Sequence, residues 1–275
     1  MMIDSHQHFW NLEQGEYPWL TPDLDPIYRT FEPPELAAQL EAAGVDGTVL
    51  VQAATSHADT DAMLRQADAY PWIRAVVGWA PLMEPHQATL ALNRYQRHPR
   101  FRGVRHPVHE ALQPDRRVRL IDGLRQLAER RLLLEVLATF PEALQVVAML
   151  AESVPDLTII VDHLANPPIK EQLLEPWASQ LAAVAVYPNV YAKVSGLCTL
   201  ANRACWSAVD LQPYVKHAMA CFGADRLMFG SDWPVCLQAG DYARVVRETR
   251  GTLASYTRRE QTAVLGGTAA RIFAL

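Results

Sequence analysis

Apolar and polar positions along the chain fall into two alternating textures. Short apolar runs rich in β-branched side chains, bounded by turn residues, predict buried strands at 2 to 8, 47 to 53, 73 to 79, 101 to 106, 132 to 137, 157 to 163, 189 to 195 and 226 to 232. Between them, apolar residues three and four apart predict helices. These are PPELAAQLEAAG, SHADTDAMLRQADAY, a segment near ATLALNRYQRH, RRVRLIDGLRQLAERR, FPEALQVVAMLAES, LEPWASQLAAVAVY and CWSAVDLQPYVKHAMACFG. Pro33 and Pro34 open the first helix and Gly44 closes it. DYARVVRETRGTLAS and a short helix ending in ARIFAL follow the last strand. Eight strands with seven helical crossovers and a helical tail predict an α/β fold, a single (β/α)8 barrel of the TIM type; an open doubly wound sheet is the structural runner-up. No linker or composition shift divides residues 1–275, which are read as one domain. The connection from about Phe9 to Pro34, rich in aromatics and proline, is placed to cover the barrel mouth.

Composition narrows the function classes. Half the residues are hydrophobic and a fifth charged, as in a soluble globular protein. With net charge −5, and with Arg116–Arg117, Arg130–Arg131 and Arg258–Arg259 spread among acids in helical segments, there is no basic face for nucleic acid. Cys198, Cys205, Cys221 and Cys236 lack CxxC spacing and read as reduced packing residues. The N-terminus does not resemble a signal peptide and no apolar run is long enough for a membrane span, so a cytoplasmic location is expected.

A buried parallel strand is almost purely apolar, so polar residues at strand ends need a reason, and barrel enzymes supply one by placing chemistry at the C-terminal ends of their strands. Strand 1 ends in His6 and His8, which share a face by alternation. Strand 2 ends near Gln52, strand 4 in Arg105 and His106, strand 6 in Asp162 and His163 and strand 8 in Asp232; Glu135 and Lys193 lie within strands 5 and 7. Taken singly, each has a plain explanation. His163 reads as a core histidine, Asp162 as a local cap, Asp232 as a turn residue in GSDWP, and Lys193 as a side chain snorkelling out of the barrel. Taken together, two or three neutral imidazoles and a carboxylate can hold one divalent ion, Zn²⁺ best, with Asp232 deprotonating water. The same groups also serve metal-free catalysis, in which histidines and Arg105 polarise a carbonyl while Asp232 activates water. GxSxG, P-loop, GxGxxG and HExxH signatures are all missing from the chain.

The stretches IDSHQHFW, GVRH, VDHLANP, KVSGL and MFGSDWPVC resemble the amidohydrolase superfamily, in its lactone-hydrolysing branch, and most resemble the L-fuconolactonase-like sugar lactonases, from residue 2 to the C-terminus. The resemblance implies hydrolysis of a sugar-acid lactone, with a small-molecule partner. His6 and His8 would be the strand 1 pair, His163 the strand 6 histidine, and Asp232 the general base; His6, His8, His163 and Asp232 would hold the metal if one is bound. Arg105 and His106 would face the substrate carbonyl or hydroxyls, with Gln52, Trp79, Tyr17 and Glu135 in the substrate-binding set. GVRH stands where binuclear members carry a lysine, and Glu135 where they carry a histidine, so a two-metal site is not expected and one ion or none remain open. A metal-dependent decarboxylase of an aromatic or enoic acid, and a non-catalytic ligand-binding barrel, are the alternative functions. The sequence leaves the oligomeric state open.

Overall fold

The computed structural model describes residues 1–138 and 142–275, and it forms the barrel that the apolar runs predict. Eight parallel strands follow chain order: β1 (Ile3–Gln7), β2 (Gly47–Val51), β3 (Ile73–Gly78), β4 (Phe101–Pro107), β5 (Leu133–Leu137), β6 (Ile159–Val161), β7 (Val190–Val194) and β8 (Leu227–Phe229). The seam between β8 and β1 is joined by a parallel bridge, Gln7 to Trp233.

Helices α1 (Pro33–Ala43), α2 (His57–Ala69), α3 (Pro85–Tyr95), α4 (Pro114–Glu129), α5 (Glu142–Ser153) and α6 (Trp177–Ala185) form the outer crossovers between β1 and β7. A short α7 (Leu197–Leu200) and α8 (Ala208–Phe222) link β7 to β8, and α9 (Tyr242–Thr252), α10 (Arg258–Thr262) and α11 (Thr268–Ile272) complete the chain. Phe140 and Pro141, predicted to open α5, lie outside the described residues. The ends of these helices follow from local chemistry. Pro33 occupies the first turn of α1, where a missing N–H costs nothing, and Gly44 takes the left-handed conformation that ends it. The Ser56 side chain caps α2 by accepting from Asp59 N–H. No helix among the described residues is long and apolar enough to cross a membrane.

Two apolar clusters hold the layers together. The larger lies between the strands and the helices; the smaller fills the barrel, with Ile3, Val49, Val51, Ala75, Val77, Leu133, Ile160 and Met228 pointing inward. The C-terminal segment passes the start of β1, where Gly266 lies so close to the Met1 carbonyl that a Cβ would sit 2.6 Å from it. From there Ala269 and Phe273 join the inner cluster and close the N-terminal end of the barrel. The opposite, C-terminal end stays open to polar side chains. Of the cysteines, Cys198 and Cys236 are buried as expected, whereas Cys205 is exposed and is no packing residue.

Candidate active site

Strict alternation along β1 would turn Ile3, Ser5 and Gln7 inward together, because Ile3 belongs to the inner cluster. A register shift prevents this. Ile3 pairs with Gly47 and Asp4 with Thr48, but Gln7 pairs with Leu50, so β1 carries one residue more than β2 over this stretch. Beyond the shift Gln7 turns outward, its amide donating to Thr48 Oγ1 at 3.1 Å, and His6 and His8 turn in. Asp4 fastens the same turn to the segment after β8 and to α9: its buried carboxylate accepts from Ser231 N–H (2.8 Å) and Tyr242 O–H (3.0 Å). Asp232 N–H donates to the His6 carbonyl at 2.8 Å, which places the Asp232 side chain beside the two imidazoles.

His163 arrives by a strained route. His163, Leu164, Ala165 and Asn166 all have φ between 50° and 59°, a left-handed conformation that costs roughly 1–2 kcal/mol per L-residue. Complete burial of Leu164 and Ala165, and the Trp177 indole N–H donating to the Leu164 carbonyl at 2.8 Å, offset that cost. His163 Nδ1 then lies 2.8 Å from Ser195 Oγ. Gly196 follows with φ +63°, and a Cβ there would stand 2.7 Å from His163 Nδ1 and 3.1 Å from Asp232 Oδ2. The glycine of KVSGL is therefore required twice, by its backbone and by its neighbours.

Below these groups lies a buried charge cluster. Lys193 is fully buried inside the barrel instead of snorkelling out, with Nζ 2.6 Å from Glu135 and 3.6 Å from Asp162. Asp162, read from sequence as a local cap, takes a hydrogen bond from Arg105 Nε at 2.9 Å and lies 3.3 Å from His6 Nδ1. Burial pushes the Asp162 carboxyl up, but the Lys193 and Arg105 cations beside it outweigh burial and hold it well below the usual carboxylate range. Burial raises Glu135 to about 7 against the pull of Lys193. Burial, with Lys193 adding to it, keeps His6 neutral far below its ordinary range, and burial lowers His163.

A cavity of about 470 Å³ opens above the cluster. His8, Gln52, Arg105, His163 and Asp232 supply its polar groups, while Pro18, Trp19, Ala53, Ala54, Pro107, Leu137 and Val235 supply an apolar wall. The aromatic connection does cover the mouth, through Pro18 and Trp19. Trp19 escaped the sequence reading. Its indole is fixed by N–H donation to the Ala53 carbonyl (2.8 Å) and by an edge contact with Trp10, yet stays 41% exposed. Arg105 Nη1 leans on the Gln52 carbonyl at 3.4 Å.

Four expected site residues fall elsewhere. Arg105 pairs in register with Glu135 and His106 with Val136, so His106 points outward to the helix layer. There both its nitrogens lack partners among the described residues, and burial lowers it to about 4. Glu135 is inside the barrel but fully buried beneath the cavity, where it meets Lys193. Trp79 packs edge-on against His57 at 5.1 Å, and Tyr17 lines the neighbouring cleft against α2. His6 also lacks cavity exposure; it lies directly behind His8. Lys193 and Asp162, singled out in the sequence but given no place in the site, carried one signal: ionisable groups in or adjoining apolar strands.

The donor set fits one divalent ion by distance. His6 Nε2, His8 Nε2 and Asp232 Oδ1 are 3.0, 3.3 and 3.7 Å apart. Ligands about 2.0–2.1 Å from a tetrahedral zinc stand about 3.3 Å from one another. His6, Asp162 and His163 form a second grouping of ligand atoms within 4.8 Å.

Residues 3–275 match the model of the amidohydrolase family. An L-fucono-1,5-lactonase of Burkholderia ambifaria is 36% identical over 243 residues, covering 87% of this chain and 82% of that one. An L-fucono-1,5-lactonase of Burkholderia multivorans is 32% identical, covering 100% and 96%. A crystal structure of an amidohydrolase from Burkholderia multivorans with bound zinc superposes with a TM-score of 0.92 at 30% identity, covering 100% and 99%.

Proposed function

The chain belongs to the amidohydrolase family, and from that membership and the site geometry we propose that it opens the ring of a sugar-acid lactone, L-fucono-1,5-lactone or a related aldonolactone. The observation that carries this reading is the Asp232 carboxylate. It stands on the cavity floor with no hydrogen bond from any described side chain, facing the same space as Arg105 and His163. A carboxylate so placed is free to hold a water and take its proton.

Asp232 accepts a proton as the water oxygen adds to the lactone carbonyl. Negative charge gathers on the former carbonyl oxygen, where the Arg105 guanidinium and the Nε2–H of His163 receive it, Ser195 donating to Nδ1. Collapse breaks the bond from the acyl carbon to the ring oxygen, and Asp232 returns its proton to that oxygen. The product is the open hydroxy acid. A divalent ion held by His6, His8 and Asp232, when bound, supplies Lewis acidity to carbonyl or water. Gln52 is free to bond ring hydroxyls, and the exposed Trp19 face gives the C–H side of the ring an apolar platform.

The test is a panel of aldono-1,5- and 1,4-lactones followed with a pH indicator, with and without chelator. Wild type opens at least one of them, and Asp232→Asn loses on the order of 10³-fold or more of that rate while keeping its thermal transition. Near-normal turnover by Asp232→Asn overturns the mechanism. Carbon dioxide release from an aromatic or enoic acid without lactone opening replaces it with the decarboxylase reading. Tight sugar-acid binding without turnover replaces it with a ligand-binding barrel.

A further inference from the structure

His6 is completely buried, touches no part of the cavity, and yet stands between the site and the buried lysine. Four groups form a line: Lys193 Nζ to His6 Nδ1 at 3.0 Å, His6 Nε2 to His8 Nε2 at 3.0 Å, and His8 Nδ1 to the Val51 carbonyl at 2.8 Å. Each contact has hydrogen-bond length and direction, and with one hydrogen in each the two ends decide which way all of them point. A backbone carbonyl only accepts, so His8 must carry its hydrogen on Nδ1 and leave Nε2 as a lone pair. His6 must then donate from Nε2, which leaves Nδ1 to accept. The lysine at the other end, between two carboxylates, only donates. Starting from either end gives the same assignment. The competing acceptor for a hydrogen on His6 Nδ1 is Asp162 Oδ1, 3.3 Å away. Its direction is unfavourable, and that oxygen makes no hydrogen bond of acceptable geometry with any described residue.

We propose that Lys193 is a positioning residue which, through this directed chain, fixes His6 as its Nε2–H tautomer and sets the His6–His8 pair against binding a divalent ion. An ion at His6, His8 and Asp232 needs lone pairs on both Nε2 atoms. As the hydrogens stand, His6 Nε2–H points at His8 Nε2 and occupies the second lone pair as well. To admit the ion, His6 must move its hydrogen to Nδ1, where it meets the Lys193 donors. Thus the distances admit zinc and the hydrogen positions oppose it. The chain also spends the His6 hydrogen on His8, 3.0 Å away, instead of on Asp232 at 3.7 Å, and so leaves that carboxylate available for water.

The experiment is a two-bond ¹H–¹⁵N correlation of histidine side chains in the metal-free full chain, with His6 and His8 signals assigned by their loss in His6→Gln and His8→Gln. Expected are hydrogen on Nε2 of His6 and on Nδ1 of His8; hydrogen on Nδ1 of His6 overturns the proposal. Because Lys193→Met alone strands Glu135, the second arm removes the pair together in Lys193→Met/Glu135→Leu. Zinc is titrated calorimetrically into this variant and wild type, with circular dichroism verifying the fold. The variant is expected to bind zinc at least tenfold more tightly; equal affinity in a folded variant overturns the proposal. Should that variant fail to fold, the wild-type tautomers decide alone. Neither readout uses turnover, so the chain is tested independently of which substrate the cavity accepts.

Discussion

Replacing Gly196 by alanine separates two costs that usually arrive together. At φ +63° an L-residue pays roughly 1–2 kcal/mol for the left-handed backbone. For a chain of this length that lowers the melting temperature by about 2 °C per kcal/mol. The new Cβ would also stand 2.7 Å from His163 Nδ1. An ordinary contact begins near about 3.5 Å, so the imidazole must retreat by roughly 0.8 Å. That stretches its 2.8 Å bond to Ser195 past hydrogen-bond range, and displacements of about 1 Å near the chemistry cost on the order of 100-fold in rate. Gly44 supplies the control. It has nearly the same φ, +66°, at the end of α1, but a Cβ there meets nothing within 4 Å. Gly44→Ala is expected to melt about 2–4 °C lower and to open lactone at the wild-type rate. Gly196→Ala is expected to melt at least as low and to lose about 100-fold in kcat. Thermal melts and indicator-based initial rates on both variants measure this. Wild-type kcat in Gly196→Ala, with a melting shift no larger than that of Gly44→Ala, refutes the placement of His163 against this glycine.

Two further outcomes follow from residues that the fold puts in unexpected places. Trp19→Ala removes the apolar platform at the cavity mouth and is expected to raise KM about 5- to 10-fold, equivalent to about 1 kcal/mol, with kcat little changed; an unchanged KM removes Trp19 from substrate binding. His106 is neutral in the fold, with its pKa depressed to about 4 by burial, so the unfolded chain binds its proton first as pH falls. Stability present above pH 6.5 is therefore lost between pH 6.5 and about 4, by up to about 3 kcal/mol. His106→Leu is expected to flatten that part of a urea-denaturation pH profile without loss of lactone opening. An unaltered profile would place the titration elsewhere.

The barrel is written in the sequence because a buried parallel strand admits little but apolar side chains, and eight such runs alternate with helical periodicity. The strand-end positions of His8, Arg105, His163 and Asp232 follow from the same logic, and the structure gathers all four around one cavity. Alternation settles which neighbours share a face, but not which face turns inward. His6 and His8 enter the barrel through a one-residue register shift in β1, a property of the pairing with β2 that no local pattern carries. His106 leaves the site because Arg105, one position earlier, takes the inward face opposite Glu135. Depth is likewise a property of the closed barrel. Lys193 and Glu135 lie far enough below the mouth to pair with each other and with His6, whereas Trp19 reaches the mouth because a long connection folds back across it. Side-chain chemistry and the two periods of the backbone thus determined the architecture and the stock of reactive groups. Strand register and barrel closure decided which of them line the cavity, since both depend on contacts between residues far apart in the chain.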